Sequence, residues 1–156
     1  MTHSSLQPLA VLLEQAERDR DDALSRQRQH EGRLGAARQQ ETQLREYRSE
    51  YQNRWNQQFR AGVTMTLMHC YQEFVGRLHG AVDLQGQQVE RLGKEHDRLK
   101  AEVLAAELRV ASVRKLIERR ELALLRSAER RDQKQQDEFA ARSAWNRANS
   151  QQAAGL

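Results

Sequence analysis

The sequence predicts an all-α fold: a long antiparallel two-helix coiled-coil hairpin with an overhanging C-terminal helix. Three observations predict it. Ala, Glu, Lys, Leu and Arg account for 79 of the 156 residues, a composition typical of long helices and coiled coils. Pro8 is the only proline, so no later proline interrupts a helix. Apolar residues recur at heptad spacing on both sides of one glycine-containing break. All of residues 1–156 are expected to form a single coiled-coil domain.

The first helix is expected over residues 5–59. Ser5 can cap it with its hydroxyl, and Pro8 in the first turn removes a donor that has no partner there. Its a positions are Leu6, Leu13, Arg20, Gln27, Leu34, Glu41, Arg48 and Trp55, and its d positions are Leu9, Ala16, Ala23, His30, Ala37, Leu44 and Tyr51. Because the middle of this pattern is polar, looser packing is expected over residues 20–35.

A turn is expected over residues 60–68. Gly62 is free to adopt a positive φ there, and the β-branched residues that follow it are poor helix formers. The second helix is then expected over residues 69–146, and residues 147–156 are expected to fray, as chain ends commonly do.

The second helix carries the clearer heptad repeat, which predicts a left-handed coiled coil. The apolar residues at its a and d seam positions are Val75, Leu78, Val82, Val89, Leu92, Leu99, Val103, Ala106, Val110, Val113, Ile117 and Leu124. The polar residues at seam positions are Gln85, His96 and Arg120. A short connection favours antiparallel packing, in which d positions of the first helix face a positions of the second. The predicted pairs include Ala16 with Val110, Leu44 with Val82, and Tyr51 with Val75. Since the second helix is longer, roughly its last 20 residues overhang.

Composition and charge exclude several classes of protein. The sequence has no run of about 18 apolar residues, so a membrane-spanning helix is not expected. The N-terminal residues lack the pattern of a secretory signal. The single Cys70 cannot form an internal disulfide and fits a reducing compartment. The net charge is +4, but basic and acidic residues alternate along most of the chain, so a dedicated nucleic-acid-binding arm is not expected.

No catalytic or metal-binding motif is found in the sequence. A glycine-rich phosphate loop, His-Glu-x-x-His and Cys-x-x-Cys are all absent. His69 and Cys70 are adjacent, but neighbouring residues of a helix point about 100° apart, and no third ligand stands at a suitable spacing. Carboxylates on a solvated helix surface lack the dry cleft that acid–base catalysis needs. The protein is therefore expected not to be an enzyme and to need no cofactor or metal.

The rare aromatic residues cluster around the predicted turn. Every fourth residue of one stretch of the first helix is aromatic, and two more aromatics follow the turn. They are Tyr47, Tyr51, Trp55 and Phe59, with Tyr71 and Phe74. They can form a hydrophobic plug that closes the hairpin, an exposed docking surface for another protein, or both.

Residues 132–142, in the expected overhang, are the other distinctive segment. Phe139 and Ala140 are apolar in charged surroundings. Two interpretations are open: a solvated helix end, or a tip that enters the cavity of a partner.

Three segments resemble the flagellar export FliJ family. They read LREYRSEY at residues 44–51, YQEFVGRL at 71–78 followed by Ala81 and Val82, and DQKQQDEFAAR at 132–142. Length, hairpin layout and the polar stretches between these segments are also similar, so the resemblance covers nearly the whole chain.

The resemblance implies a non-enzymatic stalk or escort component of the flagellar type III export apparatus, similar to the γ stalk of F-type ATPases. Its implied partners are the hexameric export ATPase, a membrane export-gate protein and the export chaperones that it helps to recycle. The implied location is cytoplasmic, peripheral to the inner membrane at the flagellar base. The implied export-gate contacts are Leu44, Tyr47, Tyr51, Phe74, Leu78, Ala81 and Gln85. The implied ATPase-ring contacts are Leu6, Leu9, Leu13, Asp132, Gln133, Lys134, Asp137, Glu138, Phe139 and Arg142.

Three alternatives remain open from the sequence. The chain could be the equivalent stalk of a virulence injectisome, which shares this architecture. It could be a coiled-coil nucleic-acid-binding protein, or a parallel homodimeric coiled coil without a hairpin. The hairpin interpretation predicts a monomer when the protein is alone.

Overall fold

A computed structural model describes residues 5–155, and the described chain consists of two α-helices packed against each other. Helix α1 spans Gln7–Ala61 (55 residues) and helix α2 spans Met65–Ala154 (90 residues). The described residues contain no strand. Tyr51 stacks on Tyr71 beside the turn, and His30, farther before the turn, stacks on His96, farther after it. The predicted all-α antiparallel hairpin is confirmed.

The turn comprises only Gly62, Val63 and Thr64 and is shorter than the expected 60–68. Gly62 has φ 89°, and its N–H donates to the Phe59 carbonyl at 3.3 Å. Thr64 caps α2, since its hydroxyl accepts from the N–H of Leu67 at 3.4 Å. This cap lets the helix begin directly after the turn, even though Val63, Thr64 and Thr66 have low helix propensity.

The helix ends also differ by a few residues from those expected. Helix α1 begins at Gln7 instead of residue 5 and ends at Ala61 instead of 59, while α2 begins at Met65 instead of 69. Helix α2 continues to Ala154 through a stretch that was expected to fray. Residues 147–154 have neither glycine nor proline and include three alanines and two glutamines, so their own propensity favours helix.

The chain divides into two compact units. One contains the described residues up to Ala16 together with those from Arg109, and the other comprises Glu17–Leu108. We call them the terminal unit and the turn unit. Each contains a segment of both helices.

In the turn unit, a small residue at a d position of α1 packs into a buried apolar cluster with α2. Ala23, which is 3% exposed, packs with Val103 and Ala106, and Leu24 lies against this cluster. The other buried apolar residues of the unit are Leu34, Ala37, Leu78, Val82 and Leu99. Residues 20–35 are expected to be looser, yet Ala23, His30 and Leu34 are buried there, because alanine at the d position lets two helices approach closely.

Polar residues interrupt this seam in two layers. His30 is buried, and its Nε2 lies 2.8 Å from the Leu92 carbonyl oxygen. Its ring stacks on that of His96, with centroids 6.5 Å apart. Gln85 Nε2 donates to the Ala37 carbonyl at 3.0 Å. His30 and His96 are a d–a pair of the predicted register, so their contact agrees with it.

In the terminal unit, apolar burial ends well before α2 does. Ala16, Val110 and Val113 are buried, and Ile117 and Leu124 are half-buried. Beyond residue 124, every described residue except the half-buried Ser143 is exposed. The last stretch of α2 is therefore a helix that α1 does not cover.

Candidate partner-binding surfaces

The aromatic residues of both helices form one continuous cluster beside the turn. Tyr51 lies at its centre, with ring centroids 4.5 Å from Phe74, 5.8 Å from Tyr71, 6.2 Å from Trp55 and 6.4 Å from Tyr47. Spacing of four residues along α1 places its aromatic rings on one face, and the antiparallel register places the α2 rings against them. The cluster is thus built jointly by the two helices.

The end of the cluster near the turn is a hydrophobic plug. Tyr71 contacts Trp55 at 5.5 Å and Phe59 at 4.9 Å between centroids, the latter edge to face. Trp55 and Phe59 also contact each other at 5.6 Å. All three rings are half-buried. Edge-to-face and offset contacts of this kind add to the gain from burial alone.

The other end of the cluster is open to solvent. Tyr47 is 48% exposed, and its ring meets Phe74 edge to face at 6.4 Å. Ala81 lies seven residues after Phe74, on the same side of α2, and is half-buried. We call Tyr47, Phe74 and Ala81 the aromatic edge. It offers a partner an apolar contact surface with a phenol hydroxyl at its rim.

The seven residues implied as export-gate contacts differ in how accessible they are. Leu78 is only 8% exposed and belongs to the seam. Gln85 is half-buried, with its amide bonded to the Ala37 carbonyl. Leu44 and Tyr51 are half-buried as well. A partner that docks here therefore meets mainly the aromatic edge, while Leu78 and Gln85 hold the two helices together beneath it.

Sequence reasoning missed a polar pair between the helices of the turn unit. Arg48 Nη1 donates to His79 Nδ1 at 3.0 Å, which requires that nitrogen to be unprotonated. The two residues are 31 positions apart and belong to different helices. The heptad register could have indicated the pair, because it places both residues near the Tyr51–Val75 layer.

The residues implied as ATPase-ring contacts all lie in the terminal unit, in two groups of different character. Leu9 and Leu13 on α1, and Leu6 just before it, are half-buried. The others are exposed on the part of α2 that α1 does not cover: Asp132, Gln133, Lys134, Asp137, Glu138, Phe139 and Arg142. Phe139 is 74% exposed. Trp145, which the sequence did not single out, is 66% exposed, and a lone tryptophan in a polar segment was the available signal.

One charged network in the turn unit shifts the pKa values of two residues, Glu95 and Arg98. Arg98 donates from Nε to Glu95 Oε2 at 3.1 Å and from Nη2 to Glu95 Oε1, while its Nη1 donates to Glu102 Oε1 at 3.2 Å. The hydrogen bonds from Arg98 lower the pKa of the Glu95 carboxyl, and the same bonds raise the pKa of Arg98. Arg26 of α1 lies 4.0 Å from Glu102, so the network spans both helices. The network lies at the surface, where such ion pairs contribute little to stability.

The described residues show neither a metal-ligand cluster nor a membrane span. Within residues 5–155, no three His, Cys, Asp or Glu side chains are placed to hold one ion, and Cys70 is exposed. Over the same residues, neither helix has a stretch apolar enough to cross a bilayer.

Together these features define a class: an α-helical hairpin that presents an aromatic edge on one unit and an uncovered charged helix on the other. A family model described as flagellar FliJ protein matches residues 5–149. The flagellar FliJ protein of Escherichia coli (strain K12) is 31% identical over 136 residues, which cover 87% of this chain and 92% of that protein. No solved structure matches the chain. The chain belongs to the flagellar FliJ family, which supports a role as a component of flagellar export.

Proposed function

We propose that the protein is a non-enzymatic stalk of the flagellar export apparatus that links the hexameric export ATPase to the membrane export gate. The match to the FliJ family over residues 5–149 is the observation that carries this proposal. In this role the protein acts at the cytoplasmic face of the inner membrane, at the flagellar base, and assists the recycling of export chaperones. The injectisome stalk has no comparable support, since both similarities are to flagellar proteins.

The aromatic edge is the proposed contact for the export gate. Tyr47 and Phe74 come from different helices, so their surface exists only when the hairpin is folded. Aromatic side chains provide large contact areas at low cost in conformational entropy, which makes them frequent anchors of protein interfaces. Tyr47 is the member with the most surface left to bury.

Replacing Ala81 with Asp tests this contact with little effect on the fold. Ala81 is half-buried at the rim of the aromatic edge, and a carboxylate there would have to be desolvated against an apolar partner. We expect about tenfold weaker binding to the purified gate protein, equivalent to ~1.4 kcal/mol, and reduced swimming in soft agar. Circular dichroism should show unchanged helicity.

Ala101→Asp is the matched control for this experiment. Ala101 is an exposed alanine of α2 in the same unit and faces away from Ala81. This control should bind the gate protein and support motility like the wild type. Equal effects of the two substitutions, or none from Ala81→Asp, would contradict the gate assignment.

The uncovered part of α2 is the proposed contact for the ATPase. Mixing the protein with the export ATPase should promote ring assembly and raise ATP turnover. Phe139→Ala should weaken this stimulation several-fold, because Phe139 is the most exposed large apolar residue among residues 5–155 and has surface left to bury. Leu104→Ala is the control, since Leu104 is an exposed leucine of the turn unit. A wild-type protein that leaves ATP turnover unchanged would overturn this part of the proposal.

A further inference from the structure

The net positive charge of the protein is concentrated in one stretch of α2. Residues 114–131 contain seven basic and three acidic side chains, an excess of four that equals the net charge of +4 for the whole chain. The basic residues are Arg114, Lys115, Arg119, Arg120, Arg126, Arg130 and Arg131, and the acidic ones are Glu118, Glu121 and Glu129. Nearly all of this stretch lies beyond the buried residues of the terminal unit.

The charges of this stretch are sorted onto different faces of the helix. With about 100° between successive residues, six of the seven cations fall within an arc of about 160°. The three glutamates and Arg114 fall outside that arc. We call Lys115, Arg119, Arg120, Arg126, Arg130 and Arg131 the cationic face. All six residues are exposed.

Carboxylates of the protein neutralise almost none of the positive charge of the cationic face. Lys115 lies 3.9 Å from Glu118, in an exposed pair that contributes little. The five arginines of the face form no ion pair with any residue among 5–155. Elsewhere in the chain, arginines such as Arg45 and Arg98 do pair with carboxylates of their own helix. Several unpaired guanidinium groups on one face create a positive potential suited to an anionic partner.

The seam positions show that this partner is not another apolar helix. The heptad places Arg120, Ser127 and Arg131 at the d and a positions that are apolar earlier in α2. Knobs-into-holes packing disfavours arginine at these positions. A second copy of the chain would bring the same cationic face and would be repelled.

We propose that the cationic face binds an acidic protein surface, with Leu116 and Ala123 as its apolar centre. Leu116 is 47% exposed and lies with Ala123 in the middle of the arc. Arginine forms two parallel hydrogen bonds with a carboxylate, which favours it at such contacts.

The face has no aromatic residue for base stacking, which disfavours single-stranded nucleic acid as the partner. The apolar side chains of residues 114–131 are spread around the whole helix, so this stretch lacks the single apolar face of a helix that lies on a membrane surface. The acidic surface belongs to the export ATPase, an assignment that rests on the proposed function.

The test is a triple charge reversal, Arg119→Glu, Arg126→Glu and Arg130→Glu, with binding to the purified export ATPase measured over a range of salt concentrations. Glutamate is a good helix former and these positions are exposed, so helicity should be kept. We expect at least about tenfold weaker binding at low salt, with the difference from the wild type shrinking at about 0.5 M salt, where charges are screened.

The matched control is Arg28→Glu, Arg33→Glu and Arg38→Glu, which makes the same change in net charge at exposed positions of α1 in the turn unit. It should bind the ATPase like the wild type. The inference is overturned, and the proposed function is left standing, if the wild type and both variants bind equally or if both variants are weakened equally. A wild type that does not bind the ATPase refutes the proposed contact and this inference together.

Two further probes separate the classes of anion. A duplex oligonucleotide and vesicles containing anionic lipid should bind the wild type and the cationic-face variant equally weakly. If the triple reversal abolishes binding to either probe while ATPase binding is unchanged, the face recognises nucleic acid or membrane and the inference is wrong.

Discussion

At the scale of single residues, His96 is the least satisfied side chain of the described seam. It is half-buried and stacked on His30, and its Nε2 is buried without a hydrogen-bond partner among residues 5–155. A buried polar atom without a partner costs about 1–3 kcal/mol. Polar seam residues are also known to fix the register of coiled coils at a cost in stability. His96 is thus a position where stability can be gained.

His96→Leu should raise the free energy of unfolding by about 1 kcal/mol, because it removes the unpaired nitrogen and restores an apolar a position. Thermal unfolding followed by circular dichroism measures the change. His69→Leu serves as the control, since His69 is exposed and should give almost no shift. A lower midpoint for His96→Leu would show that the histidine layer stabilises the packing.

The Glu95–Arg98 pair gives a prediction for the pH dependence of stability. Hydrogen bonds from Arg98 lower the pKa of Glu95 from its ordinary value of 4.5, so the folded state binds this proton less readily than the unfolded state does. The pair therefore stabilises the protein above about pH 4.5, and this contribution is lost as the pH falls through the lowered pKa. Arg98→Gln should lower the unfolding midpoint slightly at about pH 7 and not at about pH 3. Arg77→Gln, at an exposed arginine, should show no such difference between the two pH values.

At the scale of elements, the turn depends on two residues with different tasks. Gly62 adopts a φ of 89°, in a region that side-chain-bearing residues rarely occupy. Thr64 then supplies the hydroxyl that caps α2. In contrast, Gly93 lies within a helix, and a Cβ added there would meet nothing within 4 Å. The same residue type is therefore required at one position and dispensable at the other.

Substituting alanine at each of these two glycines should change stability in opposite directions. Gly62→Ala should destabilise the protein by about 1–2 kcal/mol, the cost of a left-handed conformation with a Cβ. Gly93→Ala should stabilise it by about 0.5–1 kcal/mol through helix propensity. Chemical denaturation of the two variants beside the wild type measures both changes. Stabilisation by Gly62→Ala would show that the turn does not require the positive φ.

The elements could be predicted from the sequence where a repeated pattern specifies them. The heptad identified Leu78, Val82, Leu99 and Val103 as seam positions, and they are buried. It also paired His30 with His96 without recognising the contact. Single local interactions were harder to predict: the Thr64 cap made the turn shorter than its composition suggested. Helix α2 reached Ala154 because propensity prevailed over the usual fraying of chain ends.

The candidate surfaces were only partly predictable for the same reason. The heptad predicts that Leu78 lies in the seam and that Phe74 and Ala81 lie outside it. It does not predict the exposure of Tyr47, which depends on how far Phe74 covers its ring. The Arg48–His79 bond joins side chains 31 residues apart and needs the register as well as rotamers. The cationic face could have been found by projecting residues 114–131 onto a helix.

At the scale of the whole molecule, stability and the proposed contacts rest on different residues. Buried residues are spread from Ala16 to Val113. The ATPase contacts proposed on α2 begin at Lys115, after the last buried residue Val113, and all of them are exposed. A helix that buries almost nothing contributes little to the free energy of folding, since burial of apolar surface is the main stabilising term. Folding therefore places few requirements on the residues of this part of α2, and the requirements of binding can determine them.

Ending the chain after residue 131 tests this separation. The truncated protein should unfold at nearly the same temperature as the full chain, because surface changes away from packed residues usually alter stability by no more than about 0.5 kcal/mol. It should lose most of its stimulation of the export ATPase, since it lacks Phe139 and Trp145. The full-length double variant Phe139→Ala and Trp145→Ala should reproduce the loss, which would assign it to the side chains instead of the length of the helix. A large drop in the unfolding temperature would instead mean that the last stretch of α2 packs on the rest of the chain.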